Sequence, residues 1–339
     1  MNSLKKIYYK VTSAVPMQLL KSIGPATTLL PYHHTVSTEA LPHIKHLYDY
    51  KNEQQFTADL DFLLKHYTPI TPAQLEKNVN ENRPLPRNTF LLSFDDGFRE
   101  VHEVIAPILE KKGVPAIFFI NPAFIDNKVL FYRCKISLLI HKLKKQEGNA
   151  TLQQLFAHTL GIKNSSLQSI IAALKNINQT NAGILDDLAV MTNLSFENFL
   201  QQQKPFLTSQ QLQSLHTRGF SIGAHSMTHP YYSLLTLKEQ VEQTLASCKY
   251  VNELIGTREC YFSFPHSDKE LLDNFFIEMS KSDIPIFFGI QNQKDEMQNN
   301  MLHRFNAERP DLKMDLQVKG LILMMWLRKL AGKNKVVRN

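Results

Sequence analysis

Asp95 and Asp96 stand side by side after the apolar run Leu91-Leu92-Ser93-Phe94 and just before Gly97. An apolar run bounded by glycine reads as a buried strand, so both carboxylates fall where a core strand runs out into a loop. Far downstream, His225-Ser226-Met227-Thr228-His229 offers two imidazoles four residues apart. One carboxylate with two imidazoles suits a divalent transition metal and leaves coordination positions open. The other carboxylate is then free to take a proton from an activated water. Taken by itself, an i, i+4 histidine pair more often marks a surface turn. The adjacent aspartates are what turn the reading toward a metal.

Those residues need strand ends to hold them, and the chain supplies the pattern. Phe56, Leu60, Leu63 and Leu64 recur with helical spacing, and a helix is predicted over Glu100–Lys112 with Gly113 as its C-cap. Pro115–Ile120 and Gly219–Gly223 read as core strands, as do Cys260–Phe264 and Ile284–Phe288. Thr208/Gln211 and Thr236/Glu239 match capping boxes that open two helices. Strand–helix alternation over this length predicts an α/β fold with a parallel (β/α) barrel, whose chemistry gathers at the C-terminal strand ends.

The pair of motifs resembles the NodB-type polysaccharide deacetylases, carbohydrate esterase family 4. Ser93-Phe94-Asp95-Asp96-Gly97 matches the family's first motif and His225–His229 its second. The resemblance covers roughly residues 28–130 and 205–306, and implies the irregular (β/α) barrel of that type. It implies Asp96, His225 and His229 as ligands of one divalent metal, Zn²⁺ foremost with Co²⁺ or Ni²⁺ as alternatives, and Asp95 as general base. The family's late histidine, a general acid, is matched best by His303 in Leu302-His303-Arg304-Phe305, with His266 next. Tyr32 and His33, on a first strand ending Pro31-Tyr32-His33-His34, are placed at the substrate, and a site-lining role could equally fall on His34. The third motif departs from the family. Phe264-Pro265-His266 carries no arginine, so the charge that orients the catalytic aspartate must come from elsewhere, Arg304 or Arg99. Pro265, His266 and Arg304 complete the expected substrate contacts.

The chain has 339 residues, 43% of them hydrophobic and 10% aromatic, enough for a large core. The organisation expected is a basic N-terminal arm over 1–27 and a barrel over 28–312. A Leu-, Gln- and Asn-rich helical insertion interrupts it at about 128–205, and an amphipathic basic helix or tail follows over 313–339. Three cysteines without C-x-x-C spacing argue against a disulfide framework. The first residues lack an apolar signal region, which favours a cytoplasmic site, with basic ends able to touch the inner face of a membrane. The net charge of +7 does not call for a nucleic-acid partner. The function implied is removal of N-acetyl groups from a sugar of a polysaccharide or glycolipid precursor. The alternative is a non-catalytic carbohydrate-binding or membrane-associated scaffold that retains the fold.

Overall fold

The computed structural model describes residues 3–23 and 28–338. Its strands are β1 (Pro31–His33), β2 (Thr68–Pro69), β3 (Thr89–Phe90), β4 (Leu92–Phe94), β5 (Ala116–Ile120), β6 (Ser221–Ala224), β7 (Phe262–Ser263), β8 (Phe287–Gly289), β9 (Met301–His303) and β10 (Phe305–Asn306). Eight of them form one parallel sheet in the order β10-β1-β4-β5-β6-β7-β8-β9. Only Arg304 separates β9 from β10, yet β9 pairs with β8 and β10 with β1. The last stave therefore passes from one neighbour to the other and closes the sheet, giving the α/β barrel that the alternation implied.

The early helices are α1 (Ser3–Ala14), α2 (Met17–Ile23), α3 (Glu53–His66), α4 (Pro72–Asn80) and α5 (Ala106–Lys112). The insertion supplies α6 (Tyr132–Lys145), α7 (Ala150–Thr159), α8 (Leu167–Lys175), α9 (Ile184–Met191) and α10 (Phe196–Gln203). Then come α11 (Ser209–Thr217), α12 (Leu237–Ile255), α13 (Asp273–Met279) and α14 (Met314–Leu330). Reciprocal capping boxes open α11 at Thr208 and α12 at Thr236, and Gly113 closes α5 at φ +65°. The helix expected over Glu100–Lys112 is split. Its first turn, Val101–Ile105, is π-helical. Pro107 has no N–H to give to the preceding turn, and the chain widens there before α5 begins.

Strand pleating sorts the side chains. Leu30, Leu91, Ile117, Phe119, Ile286 and Phe288 form a core inside the barrel, joined by Leu75 and Val79 of α4. The alternate residues Phe90, Leu92, Phe94, Phe118, Ala224, Phe262, Phe287 and Met301 face outward into a larger core under the helices. Gly223 is required on β6 because a Cβ there would lie 2.6 Å from the Phe119 ring and 2.8 Å from the Tyr261 carbonyl.

Helices α6–α10 have a core of their own around Cys134, Leu139, Phe156, Ile170, Leu185 and Leu188. It joins the barrel through stacked rings: Phe98 on Phe206, Phe206 on Phe124, and Phe124 on Phe131. At the ends, α1 and α2 pack on α14. Residues 1, 2 and 24–27 of the basic arm lie outside the described residues. The terminal segment is not a free solvated tail: α14 buries Val318, Leu321, Ile322 and Met325, and the Arg338 side chain is buried at the chain's end. Among the described residues no helix is long and apolar enough to cross a membrane.

Candidate active site

Asp95 and Asp96 follow β4, and the turn that presents them is held in the left-handed region at Asp96 (φ +72°) and Gly97 (φ +66°). His225 follows β6. Ser226 (φ +65°) and His229 (φ +56°) are also left-handed, and Ser226 Oγ accepts from the His229 amide at 3.1 Å to close the loop. Asn121, after β5, donates to the carbonyls of His225 and Ser226. Left-handed non-glycine residues gathered in one place mark backbone held against its preference by its surroundings.

These loops bring Asp96 Oδ1 to 3.2 Å from His229 Nε2 and 3.6 Å from His225 Nε2. All three groups are buried, and Asp96 Oδ1 has no hydrogen-bond partner. His225 Nδ1 lies 2.8 Å from the Ser263 carbonyl, so it carries the proton and Nε2 is left as a lone pair. Burial lowers the His225 pKa to about 4, which keeps the ring neutral. His229 Nδ1 is 3.1 Å from His266 Nε2, and a proton there likewise frees His229 Nε2. Two imidazole lone pairs and a carboxylate oxygen thus converge with no proton between them, as a cation site requires. The residues fit a divalent metal.

Asp95 is clamped. Arg304 Nη1 and Nη2 donate to its two oxygens at 2.7 and 2.8 Å, and also reach Ser93 and Ser263 hydroxyls. Arg304 is fully buried beneath the Tyr32 ring, 4.7 Å from its centroid. Burial alone would raise the Asp95 pKa; Arg304, with help from His225, more than offsets this and holds the carboxyl below its usual range. Arg304, not Arg99, stands where the third motif lacks its arginine. Arg99 instead pairs with Glu103 at the surface.

The expected residues separate sharply beyond this point. Tyr32, Asp95, Asp96, His225, His229 and His266 line one cavity of about 150 Å³ with His34, Tyr48, Phe131, Arg133, Phe264 and Ile290. Pro265 is buried but is not in its wall. His33 points out of the barrel, stacked on Phe94 and edge-on to Phe56, with neither nitrogen hydrogen-bonded. His303 also points outward. Its Nε2 is 3.2 Å from Glu296 and its Nδ1 3.7 Å from Asp268, and Arg338 bridges both acids. It is not among the residues that line the cavity.

His34, by contrast, lines the cavity. Its Nδ1 is 2.7 Å from Glu308 Oε2, while Glu308 Oε1 accepts from the backbone amides of His34 and Thr35. Burial would lower the His34 pKa, but the Glu308 charge and hydrogen bond prevail and raise it to about 9. Tyr48 stacks on His34 at 4.2 Å and donates to Asp96 Oδ2 at 3.4 Å. Sequence reading missed Glu308 and Tyr48. Nothing local marks either one, since the hydrogen-bond partner of Glu308 lies more than two hundred positions away and that of Tyr48 more than forty.

A model of the polysaccharide deacetylase family matches residues 82–274. The chain belongs to this family. As a polysaccharide deacetylase it is a hydrolase of non-peptide carbon–nitrogen bonds, and its candidate metal site is the Asp96, His225, His229 cluster. The fold is similar to that of deacetylase PplD from Streptococcus pyogenes, solved in complex with acetate. The two share 12% identity at a TM-score of 0.55, over 88% of this chain and 99% of that one. IcaB from Ammonifex degensii aligns at 14% identity and TM-score 0.54, covering 88% and 98% of the two chains. A de-N-acetylase from Aggregatibacter actinomycetemcomitans aligns at 14% and 0.55, covering 86% and 99%. No curated protein matches the sequence.

Proposed function

We propose that this deacetylase removes N-acetyl groups from a sugar of a glycan, with Asp96, His225 and His229 holding a divalent cation, Zn²⁺ before Co²⁺ or Ni²⁺. The observation that carries the reading is the convergence of Asp96 Oδ1 with two deprotonated imidazole nitrogens beside an arginine-clamped Asp95. A bound cation would polarise the acyl carbonyl and acidify the attacking water.

The chain's own residues supply the rest. Asp95 stays ionised, and each oxygen keeps a lone-pair direction beyond the one that Arg304 uses, so the carboxylate can accept the water's proton. Arg304 fixes its plane. His34, held as the imidazolium by Glu308, gives a proton to the departing nitrogen. An amine leaves a tetrahedral centre only once protonated, and a proton donor of this strength favours the amide over the ester reading. The cavity of about 150 Å³ admits an acetyl group with part of a ring, walled by Tyr32, Phe131 and Phe264. The rest of the glycan must lie outside.

The test is acetate release from N-acetylated oligosaccharides by Zn²⁺-loaded protein. Turnover by the wild type, reduced about 10²- to 10⁴-fold in Asp95→Asn, is the expected result. Release only from O-acetylated glycans would overturn the N-acetyl assignment.

A further inference from the structure

The two ends of the chain, far apart in sequence, form one surface. Residues 1–27 hold four lysines and no acid, and residues 313–339 hold seven cations and one acid. Together they carry a net charge of +10 against +7 for the whole chain, so the intervening barrel and insertion are net negative. The fold concentrates this asymmetry. Lys319 Nζ reaches the Ser13 carbonyl, Tyr8 donates to the Gly320 carbonyl, and Tyr8 also lies within electrostatic range of Arg328. Helices α1 and α14 therefore run antiparallel. Gly320 permits the approach: a Cβ there would be 3.0 Å from Tyr9 and 3.3 Å from Tyr8.

Antiparallel packing runs α1 from Ser13, near Lys319, to Tyr8 at Gly320, in the direction of the last turns of α14. Those last turns are apolar on the side away from the core. Met324, Leu327 and Leu330 are exposed, at 38%, 44% and 68%, with Trp326 half-buried. Val11 and Leu19, on α1 and α2, are exposed as well. Arg328, Lys329, Lys333 and Lys335 border the stripe, and among the described residues the only acid paired to any of them is Asp295, 3.9 Å from Lys329. Arg338 does not contribute, being buried against Asp268 and Glu296. A helix with one apolar stripe in the core and a second facing outward, edged by cations, has the make-up of an interfacial element.

We propose that the outer face formed by α1 and the C-terminal half of α14 docks on an anionic lipid bilayer. The leucines and Trp326 enter the headgroup boundary and the surrounding cations meet lipid phosphates. Charge complementarity selects this occupant: an apolar patch that joins two copies of one chain would not be ringed by like charge. The surface is independent of the deacetylase chemistry.

The test is co-sedimentation of the full chain with phosphatidylcholine vesicles, with and without about a third phosphatidylglycerol. It is run on wild type and on a Leu327→Asp, Leu330→Asp variant, whose fold is checked by circular dichroism and melting. The expected result is binding about tenfold or more tighter to the anionic vesicles, weakened by salt and lost in the folded variant. Three results would overturn the proposal. One is no partition of the wild type into anionic vesicles. Another is equal partition by a folded variant. The third is a concentration-dependent dimer, seen by light scattering, that the variant turns into a monomer while vesicle binding is absent.

Discussion

Arg304 donates in parallel to both oxygens of Asp95, across 209 positions of sequence. It does so from the single residue at which the last barrel stave leaves β8 and joins β1. Closure of the barrel and orientation of the Asp95 carboxylate are thus one event. The segment Phe264-Pro265-His266 carries no arginine, and Arg304 supplies the contact from elsewhere in the barrel.

Arg304→Lys is expected to lower kcat about 10²-fold or more while metal content stays near wild type. A lysine is a point charge and cannot hold the carboxylate plane. Arg304→Ala would leave Asp95 buried and unpaired, a loss of about 3–5 kcal/mol. Metal analysis, acetate release and melting together read the two effects.

The alkaline limb of activity is expected to follow His34. Its folded pKa is raised to about 9, so the donor is charged below that pH and is lost above it. Glu308→Gln removes the raising charge and should move the limb toward neutral pH by more than one pH step. The same pair contributes stability that is fully present below the ordinary imidazole range and lost as pH rises through about 9. A pH–rate profile of wild type and variant, extended to pH 10, tests this. An unmoved limb would remove His34 from the proton-donor role.

His303→Asn is expected to leave kcat within about twofold of wild type, since the ring faces away from the cavity. Stability should fall instead, by about 1–3 kcal/mol, because Asp268 and Glu296 lose a buried partner. A large drop in kcat without a drop in melting temperature would restore His303 to the reaction.

Arg133, in the first turn of α6, lines the cavity and donates to Tyr231 at 3.2 Å. It is the insertion's charged contribution to the site wall. Arg133→Gln is expected to raise KM several-fold with little change in kcat, the sign of a group that holds substrate without joining the chemistry.

Gly223→Val should disrupt β6, which ends next to His225. The new side chain would meet the Phe119 ring and the Tyr261 carbonyl, and backbone cannot move aside cheaply. A cost of about 2 kcal/mol or more, with weaker metal retention, is expected from melting and dialysis against chelator.

The aspartate pair and the His225–His229 loop were legible because each is contiguous and sits at the end of an apolar strand. The barrel was legible from strand–helix alternation, and the capping residues Thr208 and Thr236 act where they stand. The errors share one cause. Consecutive residues of a strand face opposite ways, so Tyr32 and His33 could not both line the site, nor could His303 and Arg304. Tyr32 and His34 share one face, as do Leu302 and Arg304. Applying that parity to the sequence would have exchanged His33 for His34 and removed His303. Glu308 and Tyr48 were beyond such reasoning, since each matters only through a partner brought near by the fold.

The central claim is that three converging lone pairs hold a cation, and metal stoichiometry tests it most directly. Elemental analysis would compare wild type with an Asp96→Ala, His225→Ala, His229→Ala variant after loading with Zn²⁺ and dialysis. About one Zn²⁺ per wild-type chain and none in the folded variant is the expected result. Equal metal in both proteins, or none in either, would contradict it.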